Sequence, residues 1–228
     1  MRRSSVATTL SVLSVLSAFT VFCALSASVA AGQSAPAKTS KLLTPAALTA
    51  KAPAAFKVKF DTTKGLIVLE VHRDWSPFGA DRFYNLVNNG FFTGARFFRV
   101  IPGFMAQFGI NGNPAVNAAW DKVVLKDDPA GKQSNTRGTI SYGNTGRPNS
   151  RGTQVFINYG DNSRLDSGTA PFTPFGMVTE GMDVADKLNA EYGSAPQNAQ
   201  GRIVNEGNTF LIANFPRLDY VKTAAIEK

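Results

Sequence analysis

Phe97-Phe98-Arg99-Val100-Ile101-Pro102-Gly103-Phe104-Met105-Ala106-Gln107-Phe108-Gly109 is the stretch that decides the fold. Two short apolar runs flank Pro102-Gly103, a dipeptide that marks a turn. Residues 96–110 therefore read as two strands broken at that point. Arg99 is the anomaly. An unpaired charge is expensive inside an apolar wall, so an arginine here points toward a functional site. Phe104 and Met105, taken alone, read as core.

Strand signals continue on both sides. Phe56 to Phe60 alternates apolar and polar residues, and Leu66 to Val71 follows after Thr62-Thr63-Lys64-Gly65, a hairpin with a glycine-containing turn. Ser76-Pro77 reads as an N-cap with proline at the first helical position. Phe83, Leu86 and Val87 fall at helical spacing, and Gly90 stands where the helix should stop. Residues 111–137 read as a long polar loop. Thr139–Tyr142, Gln154–Asn158, Phe172–Val178 and Phe210–Phe215 read as strands, with a helix from about Met182 to Glu191. Many short strands and two helices predict a mainly β domain over 56–215: a closed eight-stranded antiparallel barrel capped by two α-helices, followed by a tail over 216–228.

Composition narrows the chemistry. The chain has 228 residues, 43% of them hydrophobic, with 17 Phe and 18% charged, enough apolar side chain for a sizeable core. Cys23 is the one cysteine and His72 the one histidine. Disulfide frameworks, multi-cysteine zinc sites and two-histidine metalloprotease sites are excluded. A Ser–His–Asp hydrolase would have to use His72, which reads as a surface residue beside Arg73 and Asp74. The acidic run from Asp161 to Asp166 is not a calcium loop, because Leu165 occupies a ligand position. No metal and no cofactor are expected.

The formal net charge is +8. Residues 1–56 carry Arg2, Arg3, Lys38, Lys41 and Lys51 and no acid, so the remainder is only mildly basic. Its cations are scattered, which argues against a nucleic-acid partner. Met1-Arg2-Arg3, an apolar run from Val6 to Leu25 and small residues up to Ala31 form the three-part pattern of a secretory signal peptide over 1–31. The alternative is an uncleaved anchor; three serines and three threonines weaken the run as a membrane span. Cleavage would leave a cysteine-free chain, suited to an oxidising periplasmic or extracellular compartment. Residues 32–55, rich in Ala, Pro, Lys and Ser, read as a flexible linker.

Four segments, in order, resemble the cyclophilin-type peptidyl-prolyl isomerases. Phe97–Gly109 is similar to the family's signature segment. Ser76-Pro77, Phe83–Val87 and Gly90–Phe92 are similar to its first helix and the following turn. Gly152–Ile157 is similar to its central strand. Leu165-Asp166, Pro174–Val178 and Gly181-Met182 are similar to its later strand and helix start. The resemblance covers roughly 56–215 and implies an eight-stranded barrel with two helices and a monomeric isomerase. Its partners would be proline-containing segments of unfolded or flexible polypeptides, with no membrane contact after signal cleavage.

Residue by residue, the resemblance implies that Arg99 is catalytic and that Phe104, Met105, Phe156 and Leu165 hold the proline ring. Gln107 would hydrogen-bond the substrate backbone, and Gly143 and Asn144 would pair with the peptide. Gln154 would support the arginine side of the site. Two positions depart from the family pattern. Arg164 stands where many members carry tryptophan, and Phe172 where many carry a histidine lining the pocket. One extra residue lies between Ser141 and Gln154. The rival reading from another class is a non-catalytic peptide-binding module or chaperone on the same barrel.

Overall fold

The computed structural model describes residues 41–227. The expected signal peptide over 1–31, Cys23 and the first part of the expected linker lie outside the described residues.

Strand β1 (Ala55–Thr62) and β2 (Gly65–His72) form the expected hairpin, paired from Ala55–His72 to Thr62–Gly65. Helix α1 (Pro77–Asn88) follows with proline in its first turn. Strands β3 (Arg99–Ile101) and β4 (Met105–Phe108) are the two halves of the deciding segment. After α2 (Pro114–Trp120) come β5 (Thr139–Tyr142), β6 (Val155–Asn158) and β7 (Pro174–Glu180). Four short helices, α3 (Met182–Asp186), α4 (Ala195–Asn198), α5 (Gln200–Glu206) and α6 (Asn208–Asn214), precede β8 (Val221–Ile226).

All eight strands lie in one antiparallel sheet, in the order β3-β4-β6-β5-β7-β2-β1-β8. The sheet curls into an open half-barrel, which corrects the expected closed barrel. Its ends, β3 and β8, share no strand ladder; one isolated bridge, Arg96 to Tyr220, lies between the segments that precede them. The concave side is filled by rings. Phe60 meets Phe92 and Phe108 edge-on at 5.7 Å each, and Phe83 lies 4.9 Å from Phe175. Such pairs contribute about 0.5–1.5 kcal/mol each beyond area burial, which accounts for the heavy use of Phe.

Other expectations are corrected as well. Phe210–Phe215 was expected as the final strand, but Asn208–Asn214 is helical. A short apolar run has no period to separate strand from buried helix. Here Phe210 and Leu211 are buried while Ile212 is 53% exposed, one face of a helix. The final strand lies in the supposed tail, where β8 pairs with β1 from Val58–Ile226 to Thr62–Val221. The polar loop holds α2, whose N-terminus is capped by the Asn113 side chain accepting from Ala115 N–H at 2.9 Å. The helix expected to reach Glu191 ends at Asp186, and among the described residues the sheet is accompanied by six short-to-medium α-helices rather than two.

Residues 41–55 are docked rather than a flexible linker. Trp120 Nε1 donates to the Leu42 carbonyl at 2.9 Å. Asn85 Nδ2 donates to the Ala50 carbonyl at 2.7 Å, and Asp81, paired with Arg73 at 2.7 Å, accepts from Ala52 N–H. These side chains reward ordering that composition alone does not reveal. Ser76 sits at the N-cap of α1, but a distant residue does the capping. Asp128 accepts from Phe78 N–H at 2.8 Å and Gly79 N–H at 3.0 Å, and it is itself paired with the buried Arg151 at 3.1 Å.

Candidate active site

Strand alternation builds the site. Val100, Ala106, Phe108, Val155 and Ile157 face the core cluster. The intervening residues Arg99, Met105, Gln107 and Phe156 therefore fall on the outer face of β3, β4 and β6. Register aligns them, with Arg99 opposite Gln107 and Gln107 opposite Phe156. Met105 and Phe156 are buried yet belong to neither core cluster, so other parts of the chain cover them.

The cover comes from loops. Pro102-Gly103 turns β3 back into β4, with Phe104 N–H donating to the Ile101 carbonyl at 3.0 Å. Gly103 takes a positive φ of 72°, which suits a residue without Cβ. Gly160 lets that turn approach: a Cβ there would stand 2.7 Å from the Gly103 carbonyl oxygen. The Phe104 carbonyl is then fixed by Tyr159 N–H and Asn162 Nδ2, both at 2.8 Å. Leu165 comes from a 3-10 turn over Ser163–Asp166, and its carbonyl accepts from Phe172 N–H at 2.9 Å. Phe172 meets Phe156 edge-on at 5.6 Å.

Together Arg99, Phe104, Met105, Gln107, Gly143, Asn144, Phe156, Leu165 and Phe172 line one cavity of about 130 Å³. Ligand pockets for drug-sized molecules run to about 300–1,000 Å³, so this one suits a single side chain. Gln154 is the exception among the expected residues. It lines an adjoining, more polar cavity of about 370 Å³, and its side chain reaches the first site through Gln107. Gly143 N–H is taken up by the Gln154 carbonyl at 2.9 Å. The backbone groups of Asn144 have no protein partner among the described residues, while its side chain donates to the Ala170 carbonyl at 3.0 Å.

Arg99 stands at the rim. Its Nε donates to Ser194 Oγ at 3.0 Å and its Nη1 to Gln107 Oε1 at 3.4 Å. Among the described residues no carboxylate pairs with it. Partial burial pushes its pKa below the usual arginine value. A guanidinium nevertheless stays charged at neutral pH. Its charge also lies 5.7 Å from the Phe104 ring centre, and that of Arg164 lies 4.8 Å from the same ring. The arrangement offers a fixed cationic donor beside an apolar slot, which suits stabilising electron density on a group held in the slot. Among the described residues no cluster of three His, Cys, Asp or Glu is placed to hold a metal. His72 is stacked on Trp75 at 4.3 Å and lines no part of the cavity.

Two residues near the cavity were not expected. Gln197, on α4, lines both cavities, and Ser194 holds the arginine. Ser194-Ala195-Pro196 carried a helix-start signal that could have drawn attention to this segment.

Comparison with known proteins shows the family and the fold. Residues 57–207 match the family model described as cyclophilin type peptidyl-prolyl cis-trans isomerase/CLD. A peptidyl-prolyl cis-trans isomerase of Acinetobacter baylyi is 36% identical over 146 residues, covering 62% of this chain and 76% of that protein. Peptidyl-prolyl cis-trans isomerase A of Dickeya dadantii is 37% identical over 155 residues, covering 65% of this chain and 81% of that protein. The fold is similar to a cyclophilin-type isomerase of Cryptosporidium parvum solved in the presence of the dipeptide Ala-Pro, with a TM-score of 0.54 and 17% identity, covering 75% of this chain and 99% of that one. With a family match over more than half its length and a site of this form, the chain belongs to the cyclophilin-type peptidyl-prolyl cis-trans isomerases.

Proposed function

We propose that the enzyme isomerises Xaa–Pro bonds in unfolded or flexible segments of exported proteins, with Arg99 as its catalytic donor. The observation that carries this reading is a cationic fork at the rim of an apolar slot sized for one side chain.

The amide C–N bond resists rotation by about 18–20 kcal/mol because the nitrogen lone pair is delocalised into the carbonyl. Cis lies only about 0.5–1 kcal/mol above trans for Xaa–Pro, and uncatalysed exchange takes tens to hundreds of seconds. No covalent bond breaks. The twisted state differs from both ground states in carrying a localised lone pair on the proline nitrogen. An arginine N–H aimed at that nitrogen stabilises the twisted state selectively, and selective stabilisation is what accelerates a reaction. Phe104, Met105, Phe156, Leu165 and Phe172 hold the ring while the flanking chain rotates. Gln107 and the backbone of Asn144 take up the peptide's polar groups. This chemistry runs without metal or cofactor.

The signal-like N-terminus supports export to the periplasm or beyond, with the mature enzyme acting as a monomer. Isomerisation there serves proteins that must refold after translocation. A proline-limited refolding assay tests the activity: the purified chain should abolish the slow phase, and the Arg99→Ala variant should be at least about 10²-fold less efficient, the low end for losing a transition-state donor. A folded Arg99→Ala protein with unchanged kinetics would remove Arg99 from the mechanism and favour a binding module. Mass analysis of protein exported by a bacterial host should give an N-terminus near Gly32; an intact Met1 in the membrane fraction would favour the anchor.

A further inference from the structure

We infer that Ser194 is a positioning residue for the reaction, and that the segment carrying it, Tyr192–Ala199, is a wall of the active site. The inference rests on the reading of Arg99 as the catalytic donor.

The first observation is how the arginine is held. Arg99 is a long side chain on a three-residue strand at the end of the sheet. Left to itself, such a side chain samples many rotamers, and a donor that wanders stabilises little. Two contacts fix it. Gln107 accepts from Nη1 at 3.4 Å, a long bond, and Ser194 accepts from Nε at 3.0 Å, the shorter of the two. Nε belongs to the rigid guanidinium plane, so a partner there sets the orientation of both terminal nitrogens at once. With Nε and Nη1 engaged, Nη2 has no protein partner among the described residues and remains for substrate.

The second observation is that Ser194 is delivered by a built structure. Phe98 and Ile110 flank the active-site hairpin and lie in a small apolar cluster with Ile203, Phe210, Leu211 and Leu218, against which Tyr192 and Phe215 pack. Tyr192 and Phe215 meet edge-on at 5.2 Å, and Pro196 is buried. Gly193, with a positive φ of 52°, runs beside Ile101: a Cβ there would stand 3.8 Å from the Ile101 side chain. The helices α4 to α6 thus pack beside the β3–β4 hairpin and present Ser194 to Arg99. Gln197, three residues on, enters the same cavity. A hydroxyl suits the task because it accepts from Nε without adding a negative charge. A carboxylate there would neutralise the donor that the twisted amide needs.

The test is a steady-state isomerisation assay on the full chain with Ser194→Ala, Ser194→Thr, Arg99→Ala and Arg99→Lys, singly and with Ser194→Ala on the Arg99→Lys background. Ser194→Ala removes the acceptor but leaves the backbone bond from Asn198 N–H to the Ser194 carbonyl. It should lower kcat and kcat/KM together by about five-fold, the scale of one hydrogen bond, with KM unchanged. Ser194→Thr retains a hydroxyl and should restore most of the loss. Lysine has no Nε–H on a planar fork, so Ser194→Ala should cost nothing further on the Arg99→Lys background. A full five-fold additional loss on that background, or a rise in KM with kcat intact, would assign Ser194 to general structure and overturn the inference. If Arg99→Ala is inactive while folded Ser194→Ala matches the parent, Ser194 alone is excluded. If Arg99→Ala is fully active, both readings fall together. Should Ser194→Ala not fold, Ser194→Gly removes the same hydroxyl and is read in the same way.

Discussion

Gln107 Nε2 donates to Gln154 Oε1 at 3.0 Å, which leaves Gln107 Oε1 facing Arg99. One amide therefore orients the next, and Gln154 acts on the arginine at second hand. It touches neither Arg99 nor the apolar cavity. Gln154→Leu should free Gln107 to flip and present its NH₂ group to the guanidinium. A misoriented hydrogen bond of about 1 kcal/mol corresponds to roughly five-fold in rate. We expect kcat/KM to fall by about that factor with thermal stability within about 0.5 kcal/mol of the parent. Parental kinetics in the Gln154→Leu protein would mean that Gln107 needs no such support.

The site was more legible in the sequence than the outline of the fold. Arg99, Phe104, Met105 and Gln107 lie within ten residues, and strand alternation fixes which of them share a face once the turn at Pro102-Gly103 is placed. Phe156 and Leu165 followed from the same ordered motifs. Elements without a period were not legible. Phe210–Phe215 is a short apolar run and Val221–Ile226 a short mixed one holding Lys222 and Thr223, and packing against Phe98 and pairing with β1 decide which becomes helix and which strand. Ser194 was hidden for the same reason: its role depends on where three short helices come to rest.

The supposed tail should prove necessary for folding. Removing residues 216–228 deletes β8 together with Leu218 and Val221, both buried. Two such side chains contribute about 1.5–3 kcal/mol each, a large part of a typical stability of about 5–15 kcal/mol. The truncated protein should lose its cooperative thermal transition or accumulate as insoluble material. An unchanged Tm would mean that β8 is dispensable.

Acid should loosen the cavity wall at Asp166. Burial pushes this carboxyl up, but hydrogen bonds from the Ser134 hydroxyl and from the Asn135 side chain and N–H outweigh it and hold the pKa below the usual value. A depressed folded pKa means stability that is present above the unfolded value of about 3.9 and is lost as pH falls through the folded value. Asn135 also donates to the Phe172 carbonyl at 2.6 Å, so the loss reaches the slot. Isomerisation of a proline peptide followed by NMR exchange should show KM rising below about pH 4. Asp166→Asn should raise KM already at neutral pH, lower stability by about 1 kcal/mol given its half-buried setting, and flatten the acid limb. An acid limb unchanged in Asp166→Asn would place the sensitivity elsewhere.

Inhibition by cyclosporin should be weak. The family resemblance implies that the drug would lie across the proline slot and take a hydrogen bond from a rim tryptophan where one is present. By the same resemblance the corresponding residue here is Arg164, which is exposed, with its guanidinium 4.8 Å from the Phe104 ring and its Nη1 donating to Asn162 Oδ1 at 3.1 Å. The side chain is thus engaged over the slot's own phenyl ring and supplies no flat apolar face to the drug. Losing an aromatic anchor at a binding rim commonly costs about 2 kcal/mol or more, roughly 30-fold in affinity. Small proline peptides bury mainly their ring, so their turnover depends far less on this position. Arg164→Trp should therefore bind cyclosporin about 30-fold more tightly at similar kcat/KM, measured by titrating the drug against isomerisation of one short peptide. Tight nanomolar inhibition of the parent would show that another group supplies the missing donor.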